Sequence, residues 1–234
     1  MNETPEYLES GECCTLGVPG LPYPLLIPYV WIQGKEQDVR IASLNLVGKI
    51  RWNRDLGKLV AGRIRWAFPE LSGLCLITVV EKAVQLAQVV ASELGFSDIA
   101  VAYNRVKPHM EASGRPVIQV GADSITSGVK YLALYERDIN LLVSRASRGV
   151  ILVDDVVTTG GTVLGLVDLL DQVAHLKSLP QGIPIRGIFC VAEEGKRTRL
   201  LPAPVDSLTR LPDPITRPTS LQFDARQGRL WPAP

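Results

Sequence analysis

Residues 150–162 read Val-Ile-Leu-Val-Asp-Asp-Val-Val-Thr-Thr-Gly-Gly-Thr, and that order leaves the chain few ways to fold. Four apolar residues fit a strand buried on both faces. After the turn, Val163, Leu166, Val167, Leu170 and Val173 recur at helical spacing, so a strand enters a Thr/Gly-rich turn that opens a helix. Backbone N–H groups at a helix start lack intrahelical acceptors, and the positive end of the helix dipole lies there, so the turn suits a phosphate. Thr158, Thr159 and Thr162 add hydroxyl donors, and Gly160 and Gly161 remove Cβ atoms that would keep the backbone from a bulky anion. The carboxylates Asp154 and Asp155 would repel that phosphate unless they faced something else, either vicinal sugar hydroxyls or a metal ion. A phosphorylated sugar is the implied ligand. No Gly-Lys-Ser/Thr follows the turn and no G-x-G-x-x-G spacing occurs, which argues against a nucleotide hydrolase or a nicotinamide enzyme.

Other segments supply the rest of an α/β domain. Residues 74–80 form a second apolar run, suited to a central parallel strand, and Glu81, Lys82 and Ala83 follow it. Ala83, Val84, Ala87, Val90, Ala91 and Leu94 make one helical stripe that Gly95 is placed to end, and residues 99–102 give a short strand. Strand, helix, strand within about thirty residues is a βαβ unit. Residues 185–191 add a further strand, so the fold expected is α/β with a mainly parallel sheet flanked by helices. Ligands of such sheets bind beyond the carboxyl ends of the strands, where the turns at Glu81 and at Thr158 both lie.

Upstream, residues 23–32 and 39–47 suggest a hairpin, with residues 1–20 polar and mobile at the start. From Asn53 onward Leu56, Leu59, Val60, Ile64 and Ala67 share a helical face that Pro69 closes; Trp52 and Trp66 flank it, packing against the sheet being favoured over stacking on a base. Residues 104–130 are polar, carry Arg105, Lys107 and Arg115, and read as a functional insert or a plain surface loop, with residues 117–120 and 129–134 fit to pair as a hairpin. From Leu201 prolines at 202, 204, 212, 214, 218, 232 and 234 predict an extended tail, with Trp231 anchoring its end. Three regions result: residues 1–70 with the hairpin and helix, 71–195 as the core, and 196–234 as the Pro-rich tail.

The chain has 234 residues and a formal net charge of +1, so no global field recruits nucleic acid or an anionic membrane. Any phosphate chemistry is local. Four cysteines show neither zinc-type spacing nor a disulfide framework, the N-terminus lacks a signal-peptide core, and no apolar run reaches the roughly 20 residues of a membrane span. A cytoplasmic protein is expected.

The thirteen residues from Val150 match, position by position, the phosphoribosyl-pyrophosphate signature of type I phosphoribosyltransferases, and the chain resembles that family over residues 74–195. The segment before the signature is nearest to adenine phosphoribosyltransferase-like proteins, with Glu136 as the acidic residue of a Leu-rich strand. The resemblance implies a Rossmann-like core with a small hood from the terminal segments. It also implies transfer of the 5-phosphoribosyl group from phosphoribosyl pyrophosphate to a nucleobase, a purine with adenine first, releasing pyrophosphate. Asp154 and Asp155 are then the catalytic pair on the ribose hydroxyls, and Val157, Thr158, Thr159, Gly160, Gly161 and Thr162 hold the 5′-phosphate. Glu81, Lys82 and Ala83, with Arg105 and Lys107, meet the pyrophosphate. Tyr103-Asn104-Arg105-Val106 stands where the family has a plain Arg-Lys pair. The cofactor implied is Mg²⁺, carried by the substrate with Asp154 or Asp155 as its candidate protein ligands; the assembly implied is a homodimer. Tyr29, Trp31 and Phe189 are candidate base-lining aromatics. The alternative is a regulator on the same fold that senses phosphoribosyl pyrophosphate or a nucleotide without turnover.

Overall fold

The computed structural model describes residues 11–32, 37–104, 117–124, 128–196, 199–218, 221–224 and 229–232, without the side-chain surroundings of 117–131 and 221–232. Its centre is a five-stranded parallel sheet. β4 (Leu74–Val79), β5 (Ala100–Ala102), β8 (Gly149–Val157), β9 (Ile185–Glu193) and β10 (Val205–Arg210) lie in the order β10-β9-β8-β4-β5. The expected mainly parallel α/β sheet is present. Period-two alternation divides its side chains between two cores: Leu74, Leu76, Ile151 and Val153 enter one, while Cys75, Ile77, Val150 and Leu152 enter the other.

Helices cover both faces. α1 (Ile50–Ala67) and α2 (Val84–Leu94) bury Leu56, Val60, Ile64, Leu86 and Val90 in the first core. α3 (Glu136–Arg145) and α4 (Gly161–Leu176) bury Ile139, Leu142, Leu166, Leu170 and Val173 in the second. Each such leucine or isoleucine contributes about 1.5–3 kcal/mol of burial, and truncating Leu56 to alanine would cost about 2–5 kcal/mol. α2 ends on Gly95, whose φ of 83° is left-handed as its place after the stripe predicts.

Strands β1 (Cys13–Leu16), β2 (Leu25–Ile32), β3 (Gln37–Ala42) and β11 (Ile215–Pro218) form a second sheet, antiparallel throughout. The β2–β3 hairpin was expected; β1 was not, because four residues with two neighbouring cysteines carry no alternation and gain strand form only by pairing with β2. Apolar residues of this sheet, Leu16, Leu25, Ile27 and Ala42, join the core beneath α1 and α2. The insert pairs as β6 (Val117–Ser124) with β7 (Gly128–Tyr135), and Tyr103 bridges to Ala133 with both backbone hydrogen bonds at 2.8 Å, tying the hairpin to the end of β5. β12 (Leu221–Asp224) and β13 (Arg229–Pro232) make a last hairpin that includes Trp231.

Several details differ from the sequence expectation. α1 starts at Ile50, three residues early, and its Trp66 is 83% exposed rather than packed on the sheet, whereas Trp52 is buried. Glu136 opens α3 instead of lying in a strand. The segment expected as an extended tail supplies β10 to the core sheet and β11 to the second sheet, because its prolines fall between strands or at a strand end, leaving the N–H groups of 205–210 free to pair. Among the described residues no helix is long and apolar enough to cross a membrane.

Candidate active site

A cleft of about 820 Å³ opens beyond the carboxyl ends of β4 and β8, between the parallel sheet and the second sheet. It brings together Asp154, Asp155, Val157, Thr158, Thr159, Gly160, Gly161 and Thr162, from the end of β8 through the following turn into α4, with Glu81, Lys82 and Ala83 after β4. These are all the residues expected at the phosphate, ribose and pyrophosphate that the structure describes. Arg105 and Lys107 lie outside the described residues, although their neighbour Asn104 lines the cleft.

Asp154 and Asp155 belong to the second half of β8, not to the turn after it. They are 9% and 8% exposed. The Asp155 N–H donates to Asp154 Oδ1 at 2.9 Å and the Val156 N–H to Asp155 Oδ1 at 2.9 Å, so each carboxylate is held by the backbone beside it. Thr158, Thr159 and Gly160 then bend the chain and α4 begins at Gly161. Gly160 has φ 81°, and a Cβ there would stand 2.5 Å from Leu201 Cδ2. Its lack of a side chain thus answers both a left-handed backbone and a close neighbour, beyond the anion access expected from sequence. The Leu164 N–H bonds Gly160 O at 3.0 Å and begins the helical ladder, so the N–H groups of the cleft residues Gly161, Thr162 and Val163 lack intrahelical acceptors.

The opposite wall is positioned by α1. Asn53 is buried, and its Nδ2 donates to Leu46 O at 2.6 Å and to Lys49 O at 2.9 Å, fixing the loop that carries the cleft residues Ser43 and Leu44. Gln85 Oε1 accepts from the Gly48 N–H at 2.7 Å, joining the same loop to the start of α2 just after Glu81, Lys82 and Ala83. The Val80–Glu81 peptide bond is cis. Lys82 precedes α2 by one residue more than a helix-opening position would.

The sequence reading missed the rest of the lining. Val39, Ile41, Leu44 and Leu211 make an apolar wall, and Glu194 stands at the carboxyl end of β9. Glu194 is 8% exposed, its N–H donates to Val157 O at 3.1 Å, and its Oε1 is enclosed with no hydrogen-bond partner among the described residues. Burial pushes its carboxyl above the usual range and Asp213 adds to this, with Lys82 opposing. A signal existed: Glu193-Glu194 follows an apolar run as Asp154-Asp155 does, on the neighbouring strand. The aromatics suggested for base binding are elsewhere. Tyr29 and Trp31 lie under the Arg40 guanidinium at 4.5 and 5.9 Å, and Phe189 packs edge-on against Phe68 at 6.2 Å.

Carboxylate oxygens suit a hard divalent ion, and the described residues contain no cluster of three or more metal-ligating side chains. Two adjacent carboxylates fit an ion such as Mg²⁺ that keeps its waters and travels on phosphate oxygens. They would not make a closed protein cage.

The phosphoribosyl transferase domain model matches residues 49–176. No curated protein sequence matches the chain. Among solved structures, adenine phosphoribosyltransferase from Rhodothermus marinus is similar with a TM-score of 0.53 at 15% identity, over 85% of this chain and 94% of that one. The adenine enzyme of Giardia lamblia, complexed with 9-deazaadenine, has a TM-score of 0.47 at 16% identity over 86% and 94%. That from Thermoanaerobacter pseudethanolicus has 0.48 at 15% over 70% and 84%. At such identity the first of these speaks to the fold.

Proposed function

The chain belongs to the phosphoribosyl transferase domain family, a family of transferases, and from that premise we propose that it moves the 5-phosphoribosyl group of phosphoribosyl pyrophosphate onto a purine, adenine first. One observation carries this reading. A single cleft collects a helix start rich in Thr and Gly, a buried acidic pair and a turn that carries Lys82, environments suited to a phosphate, a ribose and a leaving pyrophosphate.

In the proposed reaction the bond from ribose C1 to pyrophosphate breaks, pyrophosphate leaves with the electron pair, and a ring nitrogen of the base bonds C1 and gives up its proton. Positive charge develops on the sugar. Asp154 and Asp155, held by backbone N–H groups, accept the ribose hydroxyls and place negative charge beneath the ring. The backbone and hydroxyls of Val157, Thr158, Thr159, Gly160, Gly161 and Thr162 grip the 5′-phosphate, which turns a two-body encounter into an oriented one. Glu81, Lys82 and Ala83 meet the pyrophosphate, with Lys82 as the cation, and Arg105 and Lys107 are proposed to join them. Asp154 or Asp155 would hold Mg²⁺, and the chemistry it would supply is neutralisation of charge on the leaving pyrophosphate. The second sheet is the proposed hood: Val39 and Ile41 offer the flat apolar wall that a base would contact.

We also propose a homodimer in the cytoplasm, in line with the family resemblance and with cysteines that are all free thiols. Light scattering would check the mass.

Pyrophosphate release measured with Mg²⁺, phosphoribosyl pyrophosphate and each free base in turn tests the reading. Turnover is expected with a purine and fastest with adenine. Saturable binding of the sugar pyrophosphate with no turnover on any base would overturn transfer in favour of sensing, and turnover confined to pyrimidines would overturn the choice of base.

A further inference from the structure

We infer that Glu194 is a specificity-determining residue that reads N–H donors on the edge of the incoming nucleobase; the inference rests on the nucleobase reading above. Three observations converge on it. The residue lines the cleft at the carboxyl end of β9, one strand over from the acidic pair, and its backbone is hydrogen-bonded to Val157, where the phosphate-binding turn begins. The same cleft is lined by Val39, Ile41, Leu44 and Leu211, apolar groups suited to a flat ring rather than to a sugar or phosphate. And its Oε1 is enclosed without a hydrogen-bond partner among the described residues.

A buried carboxylate oxygen left unpaired is destabilising, so folding would select against it unless something else supplied the partner. A phosphate cannot, because like charges repel. A carboxylate accepts and does not donate, so the complementary ligand presents N–H groups. An exocyclic amine, alone or beside a ring N–H, is such a group on a purine, and rotation about the last side-chain bond lets either oxygen take it. A purine lacking the amine would leave the carboxylate unpaired when it fills the cleft. Discrimination by an unmade hydrogen bond is the strong kind, exceeding what apolar contacts achieve.

Calorimetric titration of the full chain with two nucleotide pairs tests this: AMP against purine riboside 5′-monophosphate, and GMP against inosine 5′-monophosphate. Members of each pair differ by one exocyclic amine. The wild-type chain is expected to prefer the amine in at least one pair by about tenfold or more. Glu194→Leu should bring that ratio close to one, and Glu194→Gln, which keeps one acceptor and nearly the same shape, should retain part of it. Ribose 5-phosphate, which lacks a base, should bind all three proteins alike. Absence of any preference in the wild-type chain, or a preference undiminished in both variants, overturns the inference while ribose 5-phosphate binding leaves the parent reading intact. Failure of ribose 5-phosphate to bind the wild-type chain would sink both. Should Glu194→Leu not fold, Glu194→Gln decides alone, an unchanged ratio counting against the assignment.

Discussion

In β4 and β8 the buried side chains are apolar apart from Thr78 until the carboxylates of Asp154 and Asp155 at the strand end, whereas β3 buries Asp38 and carries Arg40 between its apolar residues. The two sheets keep their charges differently. The parallel sheet, covered on both faces, has no room for charge except at the rim, and there it lines the cleft. The antiparallel sheet has a partly open face, on which Arg217 lies 3.9 Å over Trp31 and reaches Asp38 at 3.4 Å, and Arg40 meets Glu12 at 2.6 Å. One sheet is thus held by contiguous burial and presents chemistry at its edge, and the other is stitched by charged and aromatic pairs from both ends of the chain. The cleft lies where the two meet.

That contrast can be broken first at the rim of the parallel sheet. Asp154→Asn combined with Asp155→Asn should lower pyrophosphate release by about a thousandfold or more, with the circular dichroism spectrum kept, since asparagine preserves the shape of each side chain. Retained turnover would remove the acidic pair from the mechanism. Gly160→Val tests whether the turn is as constrained as the strand before it: a branched side chain at φ 81°, driven against Leu201, should cost about 1–3 kcal/mol in urea unfolding and weaken ribose 5-phosphate binding in parallel.

On the antiparallel sheet the effects are smaller. Arg217→Ala removes a half-exposed guanidinium from Trp31 and from Asp38, which is only 2% exposed, and should cost about 1 kcal/mol after solvent screening. Amide exchange should quicken in β3 and leave β4 and β8 protected; loosening of all three strands together would mean that the sheets are not separable units. The smallest effect is expected at Glu194. Its pKa is raised in the folded chain by burial and by Asp213, against Lys82, so the native state holds a proton more readily than the unfolded one and stability falls as pH rises through that interval. Glu194→Gln should therefore raise Tm modestly at pH 7, and the gain should vanish below about pH 4, where a free glutamate is itself protonated. A gain that persisted in acid would assign it to packing instead of charge.

Legibility followed the same division. The core strands and helices could be read because burial on both faces writes itself as consecutive apolar residues and burial of a helix as a stripe, and because Gly95 and Gly160 stand where the backbone turns left-handed. Val150 to Thr162 also showed the order of strand, turn and helix start that the structure has between Val157 and Gly161. β1 and β11 could not be read. Arg217 and Asp38 are 179 residues apart, and β11 becomes a strand only because β3 offers it unpaired backbone groups.

The sequence by itself determined the family signature, the parallel sheet and the acidic pair, because each depends on residues within one strand, turn and helix. Only the tertiary structure decided that the Pro-rich end completes both sheets, that Tyr29, Trp31 and Phe189 point away from the cleft's work, and that Glu194 Oε1 is enclosed there without a partner among the described residues. Those outcomes depend on which distant backbone finds an open edge and on what remains unpaired once the edges have closed, and no local pattern of residues records either.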